Sequence, residues 1–157
     1  MRFRLLAIFC MVLISVSVVH ADVSLQLFDK NSYQEMVADN KQESYLLVFW
    51  SLDCPPCMTE LSMLGKLHKQ YPSLNIMLVS TDSIDQAGEI NKLMKTYGLD
   101  QLPQWVFSDE PVQYLRYSID PQWYGELPRS YFHQAQQRKA VSGKLTQAQV
   151  VRWFGAG

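Results

Sequence analysis

Apolar residues are laid along this chain in two textures, nearly continuous blocks and helical stripes. The blocks are Leu5 to Val19, Tyr45 to Trp50 and Ile76 to Val79. The last two have the length and β-branched or aromatic content of strands buried on both sheet faces. Ser24 to Phe28 alternates like a short first strand, and Asn31 to Asp39 reads as a helix with Tyr33, Met36 and Val37 on one face. From Met58 to Tyr71, Leu61, Leu64 and Leu67 recur at helical spacing, and Pro72 closes the run. Pro55 and Pro56 fit the first turn, where backbone N–H groups lack helical partners. Asn75 to Ser80 is the next strand. Ser83 to Tyr97 is a long helix, opened by a Ser83…Gln86 capping box and stopped by Gly98. Gln104 to Phe107 follows as a short strand and Pro111 to Tyr117 as a short helix. Ser130 to His133 and Ala140 to Ser142 form a hairpin pair, and Thr146 to Phe154 a final helix with a Thr146…Gln149 capping box. Strand–helix units followed by a hairpin and a helix predict an α/β fold: a mixed central sheet with helices on both faces.

The first block is different material. Arg2 and Arg4 precede it, and Val19-His20-Ala21 offers residues that a signal peptidase reads. The run is short of the roughly 20 residues that span a bilayer comfortably. Residues 1–21 are therefore expected to be a cleaved signal peptide, with 22–157 as one domain exported to the periplasm. The other reading keeps the segment as an anchor, the one case in which the membrane is a partner. The 157 residues carry a formal charge of -1. With Arg2 and Arg4 gone, 12 basic residues face 15 acidic ones, and the charge is -3. No basic stripe, repeat or low-complexity tract points to nucleic acid or disorder.

Export changes the meaning of the cysteines. Cys10 leaves with the signal, so the mature domain holds Cys54 and Cys57 alone. A bridge across so short a loop contributes only about 2 kcal/mol in the chain-entropy model, against about 3 for a 15-residue loop. The pair is a poor staple and a good reagent. At a helix N-terminus, free N–H groups and the helix dipole favour a thiolate on the first sulfur. The second sulfur, one turn in, can attack a mixed disulfide from behind. A buried strand leading into the pair presents it at the carboxyl edge of the sheet. Cys-x-x-Cys is also half a zinc site, but no second pair is present, and His68 and His133 do not complete the spacing.

Phe49-Trp50-Ser51-x-x-Cys54-Pro55-Pro56-Cys57-x-x-Glu60 resembles the thioredoxin superfamily, in its TlpA/ResA-like periplasmic thiol-disulfide reductase branch. Met94-x-x-Tyr97-Gly98 resembles the end of that branch's next helix, and Gly125-Glu126-Leu127-Pro128 its Gly-x-Pro loop. The resemblance spans roughly Ser44 to Phe154 and implies a thioredoxin-like fold. It further implies that Pro128 is cis and lies against the disulfide, with Leu127 backbone groups binding the substrate. Glu60, one turn beyond Cys57, is implied to tune the thiols or move a proton; an ordinary solvated glutamate is the alternative. The chain departs from the pattern at Asp53, where the family usually has tryptophan, and at Val48, where thioredoxin carries a buried aspartate. Residues 117–125 look enlarged, with Trp123 and Tyr124 expected to line a partner groove, and the turn Gln134 to Lys139 lacks the usual Asp/Asn-Gly.

These readings converge on a protein thiol-disulfide oxidoreductase. Cys54 is the nucleophile, Cys57 the resolving thiol, Glu60 the acid, and Leu127 and Pro128 the substrate loop. No metal or organic cofactor is expected. The partners are protein thiols and disulfides, with an inner-membrane electron donor if the protein reduces. Reduction is the expected direction: the helix N-terminus lowers the Cys54 pKa, but Asp53 opposes it by a comparable amount, leaving a value near or above about 7. The alternatives are a disulfide oxidase or isomerase, an adaptor that binds without turnover, and a copper- or haem-handling module using the same cysteines with His133 or Met58.

Overall fold

The computed structural model describes residues 24–135 and 137–155. The expected signal peptide, residues 1–21, lies outside them. Strand β1 is Gln26–Phe28, β2 Ser44–Trp50, β3 Ile76–Ser80, β4 Gln104–Phe107, β5 Arg129–Gln134 and β6 Gln137–Ser142. Helix α1 is Ser32–Asp39, α2 Pro55–Gln70, α3 Ala87–Tyr97, α4 Val112–Ile119 and α5 Gln147–Phe154. The six strands form one sheet in the order β1-β4-β3-β2-β5-β6. β1, β4, β3 and β2 run parallel, whereas β5 and β6 pair antiparallel to their neighbours.

Strand β2 sits at the centre because its apolar block serves both faces. Leu46, Val48 and Trp50 enter one core with Ile76, Leu78, Val106 and Phe132, covered by α2, α3 and α5. Tyr45, Leu47 and Phe49 enter the other with Met77, Val79, Phe107 and Tyr131, covered by α1 and α4. The predicted α/β architecture with helices on both faces is observed.

Several boundaries differ for local reasons. The Ser83 hydroxyl accepts from the Asp85 N–H and caps a 3-10 turn, Ile84–Gln86; α3 then begins at Ala87. The expected capping box with Gln86 is therefore replaced by a tighter turn. Gly98 ends α3 in the left-handed region at φ 67°, as expected. The Thr146–Gln149 capping box is present in full. In the hairpin turn Ala135 takes φ 52°, the conformation that Asn or Gly would adopt more readily. Gly65 of α2 lies where an added Cβ would come 2.1 Å from the Tyr97 carbonyl oxygen, so α2 and α3 meet backbone to backbone.

Candidate functional site

Strand β2 ends at Trp50, and four residues later Cys54 is the N-cap of α2. Two backbone contacts set this geometry: the Cys54 N–H donates to Ser51 O at 3.2 Å, and the Cys57 N–H to Cys54 O at 2.9 Å. Cys54 has extended dihedrals, and its sulfur accepts from the Cys57 N–H at 3.3 Å. Pro55 and Pro56 occupy N1 and N2, where their missing N–H groups cost nothing. The sulfurs are bridged, with Cα atoms 5.2 Å apart. Cys57 is fully buried and Cys54 is 7% exposed, so the first cysteine is the more accessible residue.

Glu60, one turn beyond Cys57 on α2, is 0% exposed. It is no solvated helix glutamate. The Leu145 N–H and the Ser130 hydroxyl donate to its two carboxylate oxygens. Burial pushes its carboxyl above the ordinary glutamate value, against the opposing pull of those two donors and of Lys144. Ser130 faces Val48 across the β2–β5 ladder. Glu60 thus supplies a buried acid next to the strand position that Val48 leaves apolar.

The Leu127–Pro128 bond is cis, Pro128 is buried, and its carbonyl accepts from the Gly143 N–H at 2.8 Å. Leu127 packs against both cores, including the cluster that holds Cys54 and Cys57. The approach to this loop is fixed by ion pairs. Asp120 accepts from Arg129 at 2.8 Å and from Tyr131 at 3.2 Å, and lies 3.7 Å from Arg138. Arg129 also bonds Glu126 and the Ser142 hydroxyl. Trp123 is not a groove residue: it is 4% exposed, packs on Phe49 with ring centroids 5.0 Å apart, and donates to Glu126 O. Tyr124 does face solvent, at 87% exposure.

His133 is kept away from the cysteines. It is buried, stacked on Tyr45 with ring centroids 4.4 Å apart, and in contact with Tyr33, both residues of the opposite core. It is therefore no partner for a metal held at Cys54 and Cys57. Among the described residues, no group of three or more His, Cys, Asp and Glu is placed to hold a metal ion.

Asp82, in the loop after β3, had no signal in the sequence beyond being a polar loop residue. Its carboxylate accepts from the Ser51 hydroxyl at 2.7 Å, the Leu52 N–H at 2.9 Å and the Ser80 hydroxyl at 2.5 Å. It ties the turn before Cys54 to the neighbouring strand.

A thioredoxin-like sheet with a bridged Cys-x-x-Cys at the start of the helix after its central strand defines a thiol-disulfide oxidoreductase. The profile of the AhpC/TSA family matches residues 19–132, and the chain belongs to that family. No curated protein sequence matches it. Solved structures with the same fold include a secreted Mycobacterium tuberculosis disulfide oxidoreductase homologous to E. coli DsbE. That protein is 17% identical with a TM-score of 0.59, over 76% of this chain and 86% of that one. StoA from Bacillus subtilis is 21% identical with a TM-score of 0.54, over 74% and 86%. A thiol:disulfide interchange protein from Chlorobium tepidum TLS is 21% identical with a TM-score of 0.57, over 76% and 83%. At such identities the likeness carries the fold.

Proposed function

We propose that this protein is an exported, periplasmic dithiol-disulfide exchanger that reduces partner proteins. The observation that carries the reading is the Cys54–Cys57 bridge at the α2 N-terminus, with its first cysteine the more accessible and an acid buried one turn behind it. In the reduced protein, the Cys54 thiolate attacks a partner disulfide. A Cys54–partner S–S bond forms, and the partner's other sulfur leaves as a thiolate. Cys57, having lost its proton, then attacks Cys54 and expels the second partner thiolate. The partner disulfide ends as two thiols, this protein ends bridged, and the two protons pass from Cys54 and Cys57 to the partner. Glu60 is the residue suited to take the Cys57 proton in the buried second step. Leu127 and Pro128 offer the backbone for the partner chain. An electron donor at the inner membrane would return the bridge to the dithiol.

Direction follows from charge. The charged residues in the turn before the first cysteine and in the loop that grips it, Asp53 and Asp82, are both acidic. They disfavour a thiolate and leave the disulfide relatively stable, which makes a reducing couple. Export rests on Arg2, Arg4, the apolar run and Val19-His20-Ala21. The secreted Mycobacterium tuberculosis oxidoreductase of the same fold supports it.

The test is equilibration with glutathione, reading the Cys54–Cys57 state by thiol alkylation and mass. A potential close to thioredoxin's, about −270 mV, is expected; one near DsbA's, about −120 mV, would assign an oxidase. In parallel, Cys57→Ser should accumulate mixed disulfides on Cys54. Partners trapped on Cys57 in the reciprocal Cys54→Ser protein, and none on Cys54, would reverse the roles.

A further inference from the structure

The loop that carries Cys54 is held from outside itself. Ser51 is its hub: its carbonyl accepts from the Cys54 N–H, and its hydroxyl accepts from the Asp53 N–H at 3.2 Å. Ser51 and Leu52 are in turn gripped by Asp82, one through each carboxylate oxygen. The second oxygen also accepts from Ser80, a fully buried residue at the end of β3. The Ser80 hydroxyl accepts from the Asp82 N–H, which fixes the carboxylate from its own side. Next to it, the Thr81 N–H donates to Trp50 O at 2.8 Å and prolongs the β2–β3 pairing to the edge of the redox loop. Among the described residues, the ion pairs all lie in the Asp120, Glu126, Arg129 and Arg138 group, and Asp82 is not in one.

We propose that Asp82 is a positioning residue for the redox centre: its carboxylate fixes the Ser51–Asp53 turn that carries Cys54, and its unbalanced negative charge disfavours the Cys54 thiolate. The inference rests on the dithiol-exchange reading above and adds a residue and a direction to it. Two effects come from one side chain. The three donors of the grip are neutral, and no cation pairs with Asp82 among the described residues. Half-buried behind the loop, that charge is screened less than the exposed Asp53. On screening alone Asp82 outranks Asp53, although Asp53 is closer in sequence.

The two effects separate in different variants. In Asp82→Asn, the amide oxygen can still accept from the Leu52 N–H and Ser80, while the amide N–H₂ donates to Ser51, whose hydroxyl can turn round. The grip survives and the charge goes. In a Cys57→Ser background, thiolate absorbance should show the Cys54 pKa lower by roughly half to one unit. In the two-cysteine protein at pH 7, the glutathione equilibrium should move about two- to fivefold toward the dithiol, or about 9–21 mV. Asp53→Asn should shift both less. Unchanged values in Asp82→Asn, or a larger shift in Asp53→Asn, would overturn the assignment. Ser51→Ala keeps the charge and cuts the tether to Asp82 together with the Asp53 N–H contact, which covers the case that Asp82→Asn does not fold. It should form the mixed disulfide more slowly at matched thiolate fraction, and an unaltered rate would overturn the positioning role. Failure of the wild type to exchange with glutathione would overturn the function instead, while the Cys54 titration still decides the role of Asp82.

Discussion

The Ser130 hydroxyl donates to the carboxylate of Glu60 at 3.3 Å, joining β5 to α2 beneath the disulfide. Glu60 has its second oxygen on the Leu145 N–H and no exposed surface. The carboxyl is satisfied by hydrogen bonds, yet its ionised form remains disfavoured by burial.

Glu60→Gln should therefore stabilise the folded protein at neutral pH. Glu60 titrates above its ordinary value of 4.5 in the folded state. Its contribution to stability is full below that value and is lost as pH rises through the folded pKa. The glutamine variant lacks this loss, because its amide can accept from Leu145 and donate to Ser130. Urea midpoints should converge below about pH 4.5 and favour the variant at pH 7. A variant less stable at pH 7 would show that the charged form is welcome in the site. The same change should slow resolution of the mixed disulfide if Glu60 takes the Cys57 proton.

Asp120 anchors the segment that leads to Leu127–Pro128. Burial alone would raise its carboxyl, but the Gln122 N–H, Arg129, Arg138 and Tyr131 together hold it below the ordinary range. Asp120→Ala leaves Arg129 without the shorter of its two ion pairs and Arg138 without its acid. Removing one partner of a buried pair costs about 3–5 kcal/mol. Arg129 keeps Glu126 and Arg138 is partly exposed, so the low end, about 3 kcal/mol, is expected in urea unfolding. A loss under about 1 kcal/mol would place this network among ordinary surface pairs.

The part of the site legible in the sequence is the part built from neighbours in the chain. The block Tyr45 to Trp50, the prolines after Cys54 and the leucine stripe of α2 are local signals, and each fixed its element. The position of Pro128 came from a resemblance, and the cis bond agrees with it. Glu60 was ambiguous because its surroundings come from Ser130 and Leu145, residues 70 and 85 positions away. Asp82 was invisible for the same reason: its partners Ser51 and Leu52 lie on another strand's loop. Trp123 misled because a large aromatic in an irregular segment can be groove or core, and only packing on Phe49 decides.

Gly65 is required by the approach of α3. A Cβ there would meet the Tyr97 carbonyl at 2.1 Å, and that carbonyl is backbone at the end of a helix. Gly65→Ala gains helix propensity of about 1 kcal/mol but forces the two helices apart. Overpacking of this kind costs about 1–3 kcal/mol, so a net loss of up to about 2 kcal/mol is expected. Thermal unfolding of the variant checks it; a gain in midpoint would mean that α3 shifts freely.

His133 should make the fold acid-sensitive in a window opposite in sign to that of Glu60. Burial, and then the Arg138 guanidinium, hold its pKa down at about 4 against an ordinary 6.5. The hydrogen bonding supplies the reason in atoms. Arg138 donates to the Tyr33 oxygen at 3.0 Å, which leaves the Tyr33 proton free to donate to His133 Nε2, 3.4 Å away. A proton added at Nε2 would face that hydroxyl, and Tyr33 would then have to accept from two donors and lose its own acceptor. A group with a depressed folded pKa contributes stability above its unfolded value, here about 6.5, that is lost as pH falls toward about 4. Wild-type stability should fall across this range more steeply than that of His133→Gln, whose side chain does not titrate. Urea unfolding at several pH values measures the difference, and the histidine ring resonances should titrate well below pH 6. A titration midpoint near 6.5, or parallel pH profiles for the two proteins, would show that protonated His133 is accommodated beside Tyr33.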